Sequence, residues 1–249
     1  ARSINLVAIR VMEAVGPDAV VRLARDLGIE SHLEPTLALS LGASEITPLE
    51  LAGAYATFAG GGRYEAPRLI LAIDGPDGKR LPLPGPPPGR DVLTPAEAYV
   101  VTSLLTSVVT QGTAKSAQVL ARPIAGKTGT SNDSRDAWFA GYSADTVAVV
   151  WVGFDDRRPL GKRETGGRTA LPIFVKAMKA AEKNVPPRPF ARPDDVEVVA
   201  IDPGSGLRAY PGMEGAVDEV FLLGTAPTQE ARRRDVADTS TLLMEEFGP

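Results

Sequence analysis

Apolar residues recur along the chain at helical spacing first and in strand-like runs later. Leu6 to Val15 reads as a short apolar helix, broken at Gly16-Pro17-Asp18. Val20, Leu23, Ala24 and Leu27 restart the helical spacing, and Gly28 is placed to end it. Thr47-Pro48-Leu49-Glu50 spells a capping box with proline at the first helical position. Leu51, Tyr55 and Phe58 then share a face until Gly60-Gly61-Gly62. Tyr64 to Ile73 reads as extended, and Gly75 to Gly89, rich in Pro and Gly, as a surface loop or hairpin excursion. Thr94-Pro95-Ala96-Glu97 repeats the capping box, and Val101, Leu104 and Val108 carry that helix to about Gly112.

Beyond Gly112 the pattern changes. Ile124 to Thr130 is short and extended. Ala137 to Tyr142 and Thr146 to Val152 are aromatic and β-branched runs joined by Ser143-Ala144-Asp145, the signature of an antiparallel hairpin. Leu171 to Lys183 predicts another helix, and Pro186 to Pro193, with four prolines, a linker. Val196 to Ile201 and Val217 to Leu223 flank a Pro203-Gly204-Ser205-Gly206 turn, and a polar, loosely ordered tail follows. Helices, then a hairpin-built sheet, then a helix predict an α/β fold of the α+β kind, an antiparallel sheet flanked by helices.

Composition narrows the chemistry. The 249 residues carry a net charge of −4, so no broad cationic field invites nucleic acid or anionic lipid. No run of apolar residues is long enough to span a membrane. There is no cysteine, which removes disulfides, thiolate nucleophiles and Cys-based zinc sites. His32 is the sole histidine; a Ser-His-Asp triad would have to use it, and its Glu30 to Pro35 setting reads as a solvated loop. The chain opens at Ala1 within helical sequence, which is expected of a piece of something longer.

The candidate chemistry lies in Gly126-Lys127-Thr128-Gly129-Thr130. A phosphate loop needs a glycine five positions before Gly126, where Ala121 stands, and a helix start where Ser131-Asn132-Asp133-Ser134 spells a turn. As a strand, the same residues suit an extended ligand with a carboxylate. Lys127 is the cation, Thr128 and Thr130 supply hydroxyls, and Gly126 and Gly129 leave the backbone uncrowded. The Thr130 N–H is a candidate oxyanion donor. On these five residues alone, a turn that happens to hold Lys, Thr and Gly explains the string equally well.

The flanking sequence decides between them. The run from Gly126 through Arg135-Asp136-Ala137-Trp138-Phe139-Ala140-Gly141-Tyr142 to Val149-Val150-Trp151-Val152-Gly153 resembles the C-terminal half of a transpeptidase domain of the bifunctional (class A) penicillin-binding proteins. Leu39 to Leu51, Ala54 to Ala59, Gly166 to Phe174, and Ile201 to Gly206 with Glu219-Val220-Phe221 resemble further segments of that class. The resemblance implies a penicillin-binding-protein/β-lactamase-like fold, incomplete at its N-terminus. Residues 1–185 would form part of the transpeptidase domain. Residues 186–249 would add the linker, the strand pair and the tail, packing on the same domain.

The family uses Ser-x-x-Lys, Ser-x-Asn and Lys-Thr/Ser-Gly motifs. Lys127-Thr128-Gly129 matches the third and Ser3-Ile4-Asn5 is placed as the second; taken alone, that triplet reads as a helix N-cap. None of the seven lysines follows a serine by three positions, so the nucleophile motif is absent. The resemblance implies catalytic roles for Ser3, Asn5 and Lys127 and substrate contacts at Thr128, Gly129 and Thr130. It implies cross-linking of peptidoglycan stem peptides ending in D-Ala-D-Ala through a serine acyl-enzyme that β-lactams trap, with no cofactor and no metal, and no activity in this chain alone. It also implies an upstream segment with Ser-x-x-Lys, a glycosyltransferase domain, and an N-terminal membrane helix holding the protein at the periplasmic or extracytoplasmic face. Two alternatives stay open: a D-Ala-D-Ala carboxypeptidase or β-lactamase-like hydrolase, and a non-catalytic β-lactam sensor or peptidoglycan-binding module. Asn132-Asp133-Ser134 spells a glycosylation acceptor expected to be unmodified.

Overall fold

The computed structural model describes residues 3–233, which divide between two compact units, Ala1–Pro193 and Asp194–Pro249. The polar tail expected at the C-terminus lies outside the described residues from 234 onward.

In the first unit, helices start and stop where the local chemistry directs. α1 (Asn5–Val15) ends at Gly16, whose φ of 87° favours glycine, and Pro17 opens α2 (Pro17–Asp26). α3 (Pro48–Ala59) opens with a complete capping box: the Glu50 N–H donates to Thr47 Oγ1 at 3.2 Å and the Thr47 N–H donates to Glu50 at 2.8 Å. Between α3 and the next helix the chain makes only short pairings. β1 (Arg63–Tyr64) pairs with β4 (Arg90–Asp91), and β2 (Ile73–Asp74) pairs with β3 (Arg80–Leu81). The extended segment expected over Tyr64 to Ile73 is thus paired only at its ends. Leu69, Ile70 and Leu71 are 83%, 62% and 76% exposed, so no neighbour holds them in a ladder. α4 (Pro95–Thr110) repeats the capping box with Thr94 and Glu97 at 3.2 and 2.8 Å. Each such cap is worth about 1 kcal/mol.

The core forms around an antiparallel sheet of β5 (Ala125–Thr130), β6 (Asp136–Tyr142) and β7 (Val147–Gly153), in the order β5-β6-β7. Registers pair Thr128 with Phe139 and Phe139 with Val150, and alternation separates the two faces. Phe139 points to one face and meets Phe174 of α5 (Leu171–Ala181), with ring centroids 4.6 Å apart and both side chains fully buried. Val108, Val109, Ile124, Leu171 and Met178 belong to the same buried cluster, with Ala114, Ala117 and Ala170 filling between them. Gly126 and Gly141 face each other beside it, where a Cβ on either would come within 2.7 or 2.8 Å of the Phe139 ring. Tyr142 points to the other face, its hydroxyl 2.8 Å from Thr102 Oγ1 and its ring edge-on to Tyr55 of α3 at 6.1 Å. Burial pushes both phenols above their ordinary range, that of Tyr142 to about 12.

A buried ionic knot closes the far end. Glu182, just past α5, pairs with Arg122 at 2.8 Å and accepts a short hydrogen bond from Ser143 in the β6–β7 turn. Arg122 also donates to the Val185 carbonyl at 2.9 Å. The proline-rich run expected as a linker is fastened to the first unit instead. Arg188 pairs with Asp145 at 2.7 Å, and Phe190 packs edge-on against Tyr142 at 5.5 Å. An aromatic ring and a guanidinium gave that run partners its proline count did not reveal.

The second unit is built on β8 (Val196–Ile201) paired antiparallel with β9 (Val217–Leu222). At the turn after β8, Asp202 accepts from the Gly204 N–H at 3.0 Å and from the Ser205 hydroxyl at 2.7 Å.

Candidate active site

β5 pairs with β6 on one edge only, and the register shows which groups face the other edge. The Ser131 N–H donates to the Asp136 carbonyl at 3.1 Å, one step beyond the Thr130–Ala137 pair. Antiparallel residues bond their neighbour strand in alternation, so Gly129 and Lys127 also bond β6. Gly126, Thr128 and Thr130 therefore turn their N–H and C=O groups toward the open edge. Burial falls along the strand, from buried Ala125 and Gly126 to exposed Thr130, so the accessible part of that edge is its Thr128–Thr130 end.

Lys127 projects on the face opposite the two threonines. Its ammonium donates to the Thr128 carbonyl at 2.7 Å and to Ser3 Oγ at 2.7 Å, joining residues 124 positions apart. Burial lowers the Lys127 pKa from the ordinary lysine value. Ser3 holds a left-handed backbone at φ 50°, which costs a non-glycine residue about 1 kcal/mol. Neither Ser3 nor Asn5 caps α1: the N-cap is Ile4, without a side-chain hydrogen bond, so the capping explanation of the triplet does not hold. Asn5 is the first residue of α1 and is exposed.

Thr128 and Thr130 share the other face. Thr128 Oγ1 lies 2.8 Å from Thr113 Oγ1, in the segment after α4. Thr130 Oγ1 accepts from the Gly166 N–H at 3.1 Å. Gly166 opens a π-helical turn, Gly166–Ala170, that leads into α5. A Cβ at Gly166 would lie 2.3 Å from the Trp138 carbonyl and 2.5 Å from the Gly129 carbonyl, so only glycine lets this turn lie across the β5–β6 ladder. Glu164 accepts a 2.5 Å hydrogen bond from Thr169 and pins the same turn. Sequence reasoning missed Thr113 and the Gly166 N–H as parts of the site. A Gly-Thr pair after a helix and a Gly-Gly pair before one are too common to single out.

The other sequence readings fall away from this locus. Gly126-Lys127-Thr128 lies inside a strand followed by a tight turn, Asn132–Ser134, not before a helix, so the phosphate-loop spelling is accidental. His32 is exposed and pairs with Glu34 at 3.2 Å. Open cavities of about 650 and 530 Å³ are lined by Ser31 to Thr47 residues and by Phe58 to Pro193 residues; neither is lined by Ser3 or β5. Among the described residues no group of three or more His, Asp or Glu is placed to hold a metal, and no helix is long and apolar enough to cross a membrane. The site is the open edge of a strand, with a cation and a serine on one side and two hydroxyls on the other.

Comparison with known proteins places this arrangement in a family. Residues 2–179 match the penicillin binding protein transpeptidase domain. The chain is 40% identical to penicillin-binding protein 1A of Aquifex aeolicus over 91% of its own length and 34% identical to that of Pseudomonas aeruginosa over 88%. It spans about a third of these relatives, 31% and 33% of their lengths. The crystal structure of penicillin-binding protein 1A from Haemophilus influenzae superimposes with a TM-score of 0.84 at 30% identity, over 93% of this chain and 40% of that one. Penicillin-binding protein A of Mycobacterium tuberculosis, solved as a ceftriaxone acyl-enzyme complex, gives 0.58 at 25% identity over 72% of this chain and 46% of that one. The match to the family model over most of its length means that the chain belongs to the penicillin-binding protein transpeptidase domain family.

Proposed function

We propose that this chain forms one wall of the acyl-transfer site of a peptidoglycan D,D-transpeptidase. The observation that carries the reading is the 2.7 Å hydrogen bond from Lys127 to Ser3 at the edge of an open strand. A stem peptide ending in D-Ala-D-Ala lies along β5, its terminal carboxylate held by Lys127, Thr128 and Thr130. The attacking serine belongs to a Ser-x-x-Lys motif, which is not among these residues. Its proton passes to the lysine of the same motif as its oxygen adds to the penultimate D-alanine carbonyl, and the oxyanion accepts from the outward Thr130 N–H. Ser3 passes a proton to the leaving nitrogen as the C–N bond breaks, D-alanine departs, and an ester remains. Asn5 orients the substrate amide. A second stem amine attacks the ester, forms the cross-link and releases the serine. Burial lowers the Lys127 pKa, which makes its ammonium a readier proton donor to Ser3 as Ser3 gives up its own proton.

On this reading the whole protein also carries a glycosyltransferase domain and a membrane anchor and works outside the cytoplasm. β-Lactams acylate the same serine. The test is labelling of the full-length gene product with a fluorescent penicillin. Ser3→Ala and Lys127→Gln should each slow acylation by about 10²–10⁴, while the 249-residue chain by itself should show no penicilloyl adduct by intact mass. Normal labelling in both variants sinks the assignment. With a D-Ala-D-Ala peptide and an amine acceptor, a cross-linked product supports transpeptidation, and hydrolysis alone points to a carboxypeptidase.

A further inference from the structure

We propose that Thr113 is a positioning residue for the carboxylate-binding hydroxyls, an inference that rests on the function proposed above. Two hydroxyls 2.8 Å apart share one proton between them, so the Thr113–Thr128 pair keeps one O–H free. When the Thr113 hydroxyl donates to Thr128 Oγ1, the Thr128 proton is released for a ligand, and a carboxylate bound at the strand edge selects that arrangement because it can only accept. Thr130 reaches the same condition by another route. The Gly166 N–H occupies one of its lone pairs at 3.1 Å, which leaves its proton for a ligand. The face therefore presents two O–H donors. Residues two apart on a strand place them about 6.5–7 Å from each other, a gap that two hydrogen bonds of about 2.7 Å to the two oxygens of one carboxylate can span.

Without the Thr113 hydroxyl, Thr128 becomes a free rotor. It can aim its proton elsewhere and turn a lone pair toward the anion. The cost falls on ligands with a negatively charged carboxylate and spares those in which that group is esterified. Thr113 is exposed, beyond the end of α4, and its hydroxyl has no other hydrogen-bond partner among the described residues, so its removal leaves the core intact.

The experiment compares acylation of the full-length gene product by benzylpenicillin and by benzylpenicillin methyl ester. The wild type should prefer the free acid. Thr113→Val should lose about 10- to 100-fold in acylation by the acid, the range of one hydrogen bond to a charged group, and be unchanged with the ester. Thr113→Ser should restore the preference, and Thr113→Ala should match Thr113→Val and guard against a packing effect of valine. Equal loss with both ligands, or no loss with either, overturns the role of Thr113 while leaving the transpeptidase reading intact. A wild-type protein acylated by neither compound refutes both.

Discussion

Glu182 is the residue whose loss the structure makes most measurable. Its side chain is 1% exposed and that of Arg122 11% exposed, so the carboxylate has almost no water to replace a lost partner. One oxygen holds Arg122 at 2.8 Å and the other takes the Ser143 proton. Ser143 Oγ in turn accepts the Asp145 and Thr146 N–H groups at 3.0 and 3.1 Å and so shapes the β6–β7 turn. Glu182→Gln keeps the shape but removes the charge and sets an amide N–H against the guanidinium. Breaking a buried pair from one side costs about 3–5 kcal/mol. Arg122 keeps its bond to the Val185 carbonyl at 2.9 Å and some contact with water, which brings the expected cost down to about 2–3 kcal/mol. That corresponds to about 30- to 150-fold in local opening, which hydrogen exchange reads directly. The informative amides are Ser143, bonded to the Thr146 carbonyl at 2.9 Å, and Val185, bonded to the Glu182 carbonyl at 3.1 Å. Their protection should fall by that factor, while the Gly62 amide, bonded to the Thr57 carbonyl at 2.8 Å, stays unchanged. The double replacement Arg122→Met with Glu182→Leu should restore most of the protection, since a packed apolar pair needs no solvation. Unaltered exchange in Glu182→Gln, or a double variant as unprotected as the single one, would refute the reasoning.

Three further outcomes follow from the packing and the charges. Phe174→Ala should cost about 3–5 kcal/mol, read as a lowered midpoint in urea, because its ring is fully buried against Phe139. Burial would raise the Glu50 carboxyl, but hydrogen bonds from Ser31 and Thr47 outweigh it and hold the pKa at about 2 against an ordinary 4.5. The unfolded state therefore binds the proton more readily, so this contribution, about 1–2 kcal/mol after screening, is complete above pH 4.5 and fades as pH falls toward 2. Acid titration of Glu50→Gln should lack that loss, and an identical acid profile would count against it. Lys127 has a linkage of the same sign, but here it is the charged form that burial disfavours. Its pKa is lowered in the fold, so its stability penalty is full at low pH and disappears as pH rises to the ordinary lysine value of 10.5. The alkaline limb of acylation in the full-length product should fall below pH 10.5 and move upward in Lys127→Arg; a limb that does not move shows that another group sets it.

Much of the fold was legible in the residues. Both Thr-Pro-x-Glu strings formed the capping boxes they spell, because a cap uses atoms within one turn of the chain. The β6–β7 hairpin followed from alternation and a short polar turn. Lys127 and Thr128 could be singled out as candidate chemistry because cation, hydroxyl and glycine sit side by side. Where contacts were distant, the residues were silent or misleading. Tyr64 to Ile73 has strand composition but no partner along its middle, and Pro186 to Pro193 has linker composition but docks through Arg188 and Phe190.

The sequence by itself determined the main helices, their capping boxes, the β6–β7 hairpin and the strand that carries Lys-Thr-Gly, since these depend on neighbours within a few residues. Only the tertiary structure decided that Lys127 meets Ser3, that Thr113 and Gly166 set the hydroxyls of Thr128 and Thr130, and that Glu182 finds Arg122. Each of those contacts joins residues far apart in the chain. Their distances are set by how sheet and helices pack, and no local pattern of side chains encodes that.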